Sequence, residues 1–213
     1  MSEEKPVVFV VDDDPSVRKL LTKLIQSIDL RVEAFASSGE FLARPLPAVP
    51  ACLVLDVRMP GLSGFDLQER LLERGLEIPI IFITGFGNVP QSVRAMKAGA
   101  VDFLQKPFEN QALLDAVNRA LDRDRSSRLR NAEIHEIETR LATLTRREYE
   151  VFIRVVDGLA NKQVADELGL SEKTVKIHRG HVMQKMKAQT FADLVRMAEK
   201  TNRSTPREAK HPV

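Results

Sequence analysis

The chain begins as an alternation of two hydrophobic periods. Residues 7–11 are an unbroken apolar run, the pattern of a strand covered on both faces, and the run stops at Asp12-Asp13-Asp14-Pro15. Apolar positions then recur at helical spacing from Pro15 to about Ile28, through Val17, Leu20, Leu21, Leu24 and Ile25. Residues 31–35 alternate as a short strand, and 37–42 start a helix through serine. Pro45, Pro47 and Pro50 stiffen the loop before the apolar run Cys52-Leu53-Val54-Leu55, which ends in a single carboxylate, Asp56. Met59-Pro60-Gly61 turns the chain, and 65–73 read as a helix stopped by Gly75. A strand over 78–84, a loop with Gly85 and Gly87, a helix over 91–98 closed by Gly99, and a strand over 100–104 follow. That strand ends at Gln105-Lys106-Pro107, and a helix resumes near Asn110.

Five strands alternating with five helices predict an α/β, doubly wound parallel sheet. Right-handed crossovers leave few topologies, and the flavodoxin-like order 2-1-3-4-5 is the expected one.

Beyond residue 122 the pattern is helical only. The Arg-Asp alternation over 122–130 has no glycine or proline to break a helix and reads as a solvated face or linker. Ile134, Ile137, Leu141 and Leu144 form a seam too short for an independent coiled coil. It fits a helix packed on its own domain and a dimerising linker helix equally well. Thr145-Arg146-Arg147-Glu148 matches a capping box, with Val151, Phe152, Val155 and Val156 on the inner face of the helix it starts and Asp157-Gly158 at its end. Asn161 is expected to cap a short helix through Leu168. Gly169-Leu170 is a tight turn, Ser171 caps a helix to about Lys187, and 191–200 form the last helix. This is a helix-turn-helix arrangement. On its second helix Val175, Val182, Met183 and Met186 face inward, Lys173, Lys176, Arg179 and Gly180 face outward, and Ile177 lies at the margin. A basic face after such a turn suits the major groove of DNA.

Charge sharpens the division. Residues 1–121 carry 13 Lys and Arg against 16 Asp and Glu, and residues 122–213 carry 19 against 14. An acidic front and a basic back point to two domains with different partners, the second a polyanion. Cys52 is the only cysteine, so no intramolecular disulfide forms, as expected in a reducing compartment. Residues 1–6 lack the cationic and apolar regions of a secretion signal, and no apolar run approaches the ~18–20 residues of a membrane span. The expectation is a cytoplasmic protein with no membrane partner.

In the predicted sheet the ends of strands 1, 3, 4 and 5 bring Asp12 and Asp13, Asp56, Thr84 and Lys106 to one edge. Clustered carboxylates suit Mg²⁺, a lysine supplies a point charge for phosphate, and a threonine supplies a neutral donor. Asp56 is the candidate nucleophile, since a carboxylate accepts a phosphoryl group as an aspartyl phosphate. Singly, each has an ordinary structural role: Asp56 a turn cap, Thr84 a strand-end cap, Lys106 a solvated charge.

The segments VVDDDPSVR, LVLDVRMPGLSG, IFITGFGNV and AVDFLQKPF, in this order, resemble the receiver domain of two-component response regulators over about residues 5–122. The resemblance implies that Asp56 is the phospho-acceptor. It implies Asp13, Asp56 and the main-chain carbonyl of Arg58 as direct Mg²⁺ ligands, with Asp12 holding the ion mainly through water. Thr84 corresponds to the switch hydroxyl, Phe103 to the switch aromatic and Lys106 to the invariant-type lysine, and Pro107 stands where the family often has a cis peptide. Asp14 has no implied role beyond the helix start and local charge. Phe86 and Asn88 depart from the polar aromatic or histidine and the acid that close relatives often carry, which bears on phosphoryl lifetime and not on the acceptor.

The segment LTRREYEVFIRVVDGLANKQVADELGLSEKTVKIHRGHVMQKM resembles the LuxR-type four-helix DNA-binding domain, and the two halves together resemble the NarL/FixJ class, nearer FixJ. By that resemblance Lys176, Ile177 and Gly180 are base-facing, while Lys162, Thr174, His178 and Arg179 are phosphate or flanking contacts; outward-facing Lys173 joins the DNA-binding set. Gly180 weakens its helix by ~1 kcal/mol relative to Ala and allows close backbone approach. His178 and His181 lack the cysteine or carboxylate pair that would complete a zinc site.

The expected organisation is a receiver over 1–122, a helical linker over 123–140, a helix-turn-helix domain over 141–202 and a disordered tail over 203–213. The expected function is a phosphorylation-dependent transcription factor, not an enzyme beyond slow self-dephosphorylation. Its implied partners are a histidine kinase, double-stranded operator DNA and, when phosphorylated, a second copy of itself; RNA polymerase is a partner the class allows. Two rivals stand beside it. An aspartyl-phosphate hydrolase of the haloacid dehalogenase type requires a second Asp where Arg58 stands. The other is a DNA-binding protein whose receiver is a phosphate-independent interaction module.

Overall fold

The computed structural model describes residues 5–85 and 89–201, so the readings of Phe86, Asn88 and the 203–213 tail lie outside the described residues. The chain divides into two compact units, Met1–Arg128 and Leu129–Val213.

The first unit is the expected parallel sheet. Strands β1 (Val7–Val11), β2 (Arg31–Phe35), β3 (Ala51–Asp56), β4 (Ile80–Thr84) and β5 (Asp102–Gln105) lie in the order β2-β1-β3-β4-β5. They alternate with α1 (Pro15–Gln26), α2 (Ser38–Leu42), α3 (Gly64–Glu73), α4 (Val89–Lys97) and the start of α5 (Asn110–Leu141). The unbroken apolar runs become the three central strands, β1, β3 and β4, buried at every residue. The pleat sends Phe9, Leu53, Leu55 and Phe82 to one face, against Phe41 of α2, Leu67 and Leu71 of α3 and Ala95 of α4. It sends Val8, Val10, Cys52, Val54, Ile81 and Ile83 to the other, against Leu21 and Ile25 of α1 and Leu113 and Val117 of α5. Burial of each large side chain contributes about 1.5–3 kcal/mol.

Helix starts are set by local chemistry. The Asp14 carboxylate accepts the N–H groups of Ser16 (2.7 Å) and Val17 (3.4 Å), and Pro15 occupies the first turn. Ser63 and Asp66 form a reciprocal capping box that starts α3 at Gly64.

The second unit contains α6 (Arg146–Val156), α7 (Asn161–Leu168), α8 (Glu172–Lys185) and α9 (Phe191–Lys200). Its core joins Val151, Phe152 and Val155 of α6, Val164 of α7, Val175 and Val182 of α8 and Leu194 of α9. Ile137 and Leu141 of α5 are buried in the same core, so the short apolar seam packs on its own unit. The Tyr149 and Phe152 rings lie 6.1 Å apart. Among the described residues no helix is long and apolar enough to cross a membrane.

Two expectations need correction. The N-cap of α7 is Ala160, not Asn161; Asn161 is the first helical residue, and its Oδ1 accepts a hydrogen bond from Arg179 instead (3.0 Å). The 122–130 stretch is not a uniformly solvated face, because Asp124 is buried and bonded to the first residue of β3.

Candidate functional site

The sheet brings the candidate residues of the first unit together. Each central strand runs to the same edge, where Asp12 follows β1, Asp56 ends β3 and Thr84 ends β4, all three buried. Lys106 follows β5, and its Nζ donates to Asp12 Oδ2 and Asp56 Oδ1, each at 2.7 Å. The remaining oxygens are held by the main chain: Asp14 N–H donates to Asp12 Oδ1 (2.9 Å), and Arg58 N–H donates to Asp56 Oδ2 (2.7 Å). The N–H of Lys106 donates to the Thr84 carbonyl at 2.7 Å, tying the lysine to the strand end that carries the hydroxyl. The Lys106–Pro107 peptide is cis. Phe103 is half-buried against the core, its ring 6.3 Å from that of Phe82.

Burial, with the charge of Asp12 added, raises the Asp56 carboxyl above its ordinary range against the pull of Lys106 and the Arg58 N–H. Burial lowers the ammonium of Lys106, but its bonds to Asp12 and Asp56 outweigh that and raise it. The edge therefore holds two carboxylates with a fixed cation between them. Asp13 is exposed, and among the described residues no three Asp, Glu, His or Cys side chains converge as a metal cage. The donors at this edge are all oxygens, a set that fits a hard cation retaining several waters and not a zinc ion.

Two residues that sequence reasoning missed shape this edge. Arg18 Nη1 donates to the Asp12 carbonyl at 2.7 Å, taking up an acceptor left where the chain leaves β1. A Cβ on Gly64 would lie 2.4 Å from the Asp56 carbonyl oxygen, so only glycine lets α3 approach the main chain of Asp56 this closely. Both stand inside the recognised segments, and only the three-dimensional contact reveals their purpose.

The second unit presents the expected helix-turn-helix. Gly169 takes the left-handed conformation (φ 63°) that the turn between α7 and α8 requires. Lys162, Lys173, Lys176, Ile177 and Gly180 are exposed, and a Cβ on Gly180 would meet nothing within 4 Å. Thr174 is partly buried and bonds Ser171 through both its N–H and its hydroxyl. His178 is half-buried, its Nδ1 without a hydrogen-bond partner. Arg179 is half-buried too, bonded to Asn161 and seated over the Phe191 ring at 5.0 Å. Behind this face the buried Glu148 accepts Lys185 Nζ at 2.6 Å and the Thr145 N–H at 2.8 Å, with His181 Nδ1 at 3.5 Å. Burial opposes its ionisation, but Lys185 and Thr145 hold its pKa down to about 2.

Residues 8–118 match the response regulator receiver domain, and residues 142–198 match the luxR family of bacterial regulatory proteins. Nodulation protein W of Bradyrhizobium diazoefficiens is 55% identical over 92% of this chain and 86% of its own. The transcriptional regulatory protein FixJ of Rhizobium meliloti is 42% identical over 90% of this chain and 94% of its own. Among solved structures, the response regulator StyR superposes with a TM-score of 0.80 at 48% identity, covering 92% of this chain and all of that one.

Proposed function

The chain belongs to the two-component response regulators that pair a receiver with a LuxR-type DNA-binding domain, a family of transcription regulators, and from that membership we propose how its residues divide the work. A histidine kinase supplies the phosphoryl group. One oxygen of the Asp56 carboxylate attacks phosphorus, the phosphorus–nitrogen bond to the kinase histidine breaks, and an acyl phosphate forms. The observation that carries this reading is Lys106 Nζ, placed 2.7 Å from Asp12 and from Asp56, a fixed cation where phosphoryl oxygens would arrive.

Asp12, Asp13, Asp56 and the Arg58 carbonyl would hold Mg²⁺, which offsets the carboxylates' repulsion and the phosphoryl group's negative charge. Thr84 donates to a phosphoryl oxygen, and Phe103 repacks as Thr84 moves. The phosphorylated protein dimerises, and paired second units bind a two-fold site. Lys162, Lys173 and Arg179 neutralise phosphates, His178 and Thr174 flank the groove, and Lys176, Ile177 and the bare Gly180 backbone face the bases. The setting we assign is the cytoplasm.

Beryllofluoride, which stands in for the phosphoryl group on Asp56, tests the scheme. With Mg²⁺ it is expected to drive wild-type protein to dimers in sedimentation. It should also tighten binding to duplexes enriched from a random pool, while Asp56→Asn responds in neither assay. Equal binding by both proteins in both conditions would transfer the reading to a phosphate-independent receiver.

A further inference from the structure

The long helix α5 is held by the first unit in two different ways. Leu113, Ala116, Val117, Ala120 and Leu121 lie in the sheet's buried core, and Leu121 is the last α5 residue in it. From there to the end of the unit at Arg128, the contacts are polar. Arg123 Nη1 donates to the Gly99 carbonyl at 3.1 Å. Asp124, only 3% exposed, accepts the Ala51 N–H at 2.9 Å and Arg128 Nε–H at 2.6 Å through one oxygen, Oδ2. Arg128 Nη2 reaches on to the Pro47 carbonyl at 3.2 Å. The next residue, Leu129, is 69% exposed and belongs to the second unit.

A buried carboxylate requires a specific use for its charge. Ala51 is the first residue of β3, the strand whose last residue is the acceptor Asp56, and β1 and β4 flank that strand on both sides. The thiol of Cys52 records the same proximity: burial and then the Asp124 charge push its pKa up. Asp124 therefore joins the far end of the acceptor strand to the helix that continues without interruption to Leu141.

We propose that the Asp124–Arg128 clasp fastens the root of the α5 extension to the start of β3, and that DNA binding answers to receiver phosphorylation only while this clasp is closed. The inference rests on the reading that phosphorylation of Asp56 governs DNA binding. An uninterrupted helix transmits the position of its root, whereas a frayed root transmits nothing. Asp124 and Arg128 are positioning residues and touch no reacting atom.

Full-length wild type, Asp124→Ala and Arg128→Gln would be compared in three assays. In Asp124→Ala, amide exchange at Ala51 and across 122–130 is expected to rise about tenfold or more. Phosphoryl uptake from acetyl phosphate with Mg²⁺ should stay within about twofold of wild type, which shows that the acceptor edge is folded. The tightening of DNA binding by beryllofluoride, on duplexes enriched with wild type, should collapse to within about twofold of none. Arg128→Gln keeps the Asp124–Ala51 bond and should show the same losses in smaller measure, so the test survives if Asp124→Ala misfolds. Slow exchange in both variants, or full beryllofluoride response in both beside a responsive wild type, overturns the clasp alone. A wild type indifferent to beryllofluoride overturns the regulatory reading and the clasp's coupling role with it.

Discussion

Asp56 and Gly64 show how closely one residue's duty depends on another's lack of a side chain. The capping box of Ser63 and Asp66 starts α3 at Gly64, whose N–H donates to the Val57 carbonyl at 3.0 Å. Alanine there would set its Cβ 2.4 Å from the Asp56 carbonyl oxygen, a backbone atom that cannot swing aside. Gly64→Ala is expected to destabilise the first unit by about 1–3 kcal/mol in urea unfolding. It should also slow phosphoryl uptake from acetyl phosphate, because relieving the clash at the strand end moves Asp56. Unchanged stability and uptake would show that α3 can withdraw instead. The place of Asp56 at the sheet's edge was legible in the sequence, since a lone carboxylate ending an apolar run is a local pattern. The use of Gly64 was not, because the atom it spares is eight residues earlier on another element.

At the scale of elements, α6 and α8 are joined by an ion pair whose carboxylate is buried. Glu148 completes the capping box of α6 and receives Lys185 from the last turn of α8 at 2.6 Å. Its folded-state pKa of about 2 lies below the ordinary carboxylate value of 4.5. The pair's stabilisation is therefore complete above pH 4.5 and is lost as pH falls through about 2. Glu148→Gln is expected to cost about 1–3 kcal/mol at pH 7, with the difference from wild type shrinking as pH drops through that window. Tyr149 is the only tyrosine, there is no tryptophan, and it lies in the second unit, so its fluorescence reports this unfolding selectively. A difference that persists undiminished at low pH would remove the ion pair from the explanation. The capping box was readable from four consecutive residues. Lys185 was not, because its partner lies 37 positions earlier, where no local pattern points. The misplaced cap of α7 has the same cause: Asn161 is a good capping residue by type, but Arg179, 18 positions on, claims its side chain.

For the whole molecule, charge and periodicity separate two units in the sequence, and residues 123–140 between them lie within the single helix α5. The 122–130 stretch carries no helix breaker, yet its charges suggested solvent. Its hold on the first unit runs to Ala51 and Pro47, more than 70 residues earlier, where no local pattern points. The 32 residues of α5 run from the receiver's core into the core of the second unit. A helix is a shaft with a rotational phase: each inserted residue turns the downstream segment by about 100° and advances it by about 1.5 Å. Alanines inserted among the exposed positions 129–132 should therefore change beryllofluoride control of DNA binding periodically. Control should be lost at two added residues and return near four and again near seven, where the helix comes back to within about 40° and 20° of its starting phase. A smooth decline with insert length would instead describe a tether. From 122 to 141, with neither glycine nor proline, the chain is thus a helix in which residue count and rotational phase change together.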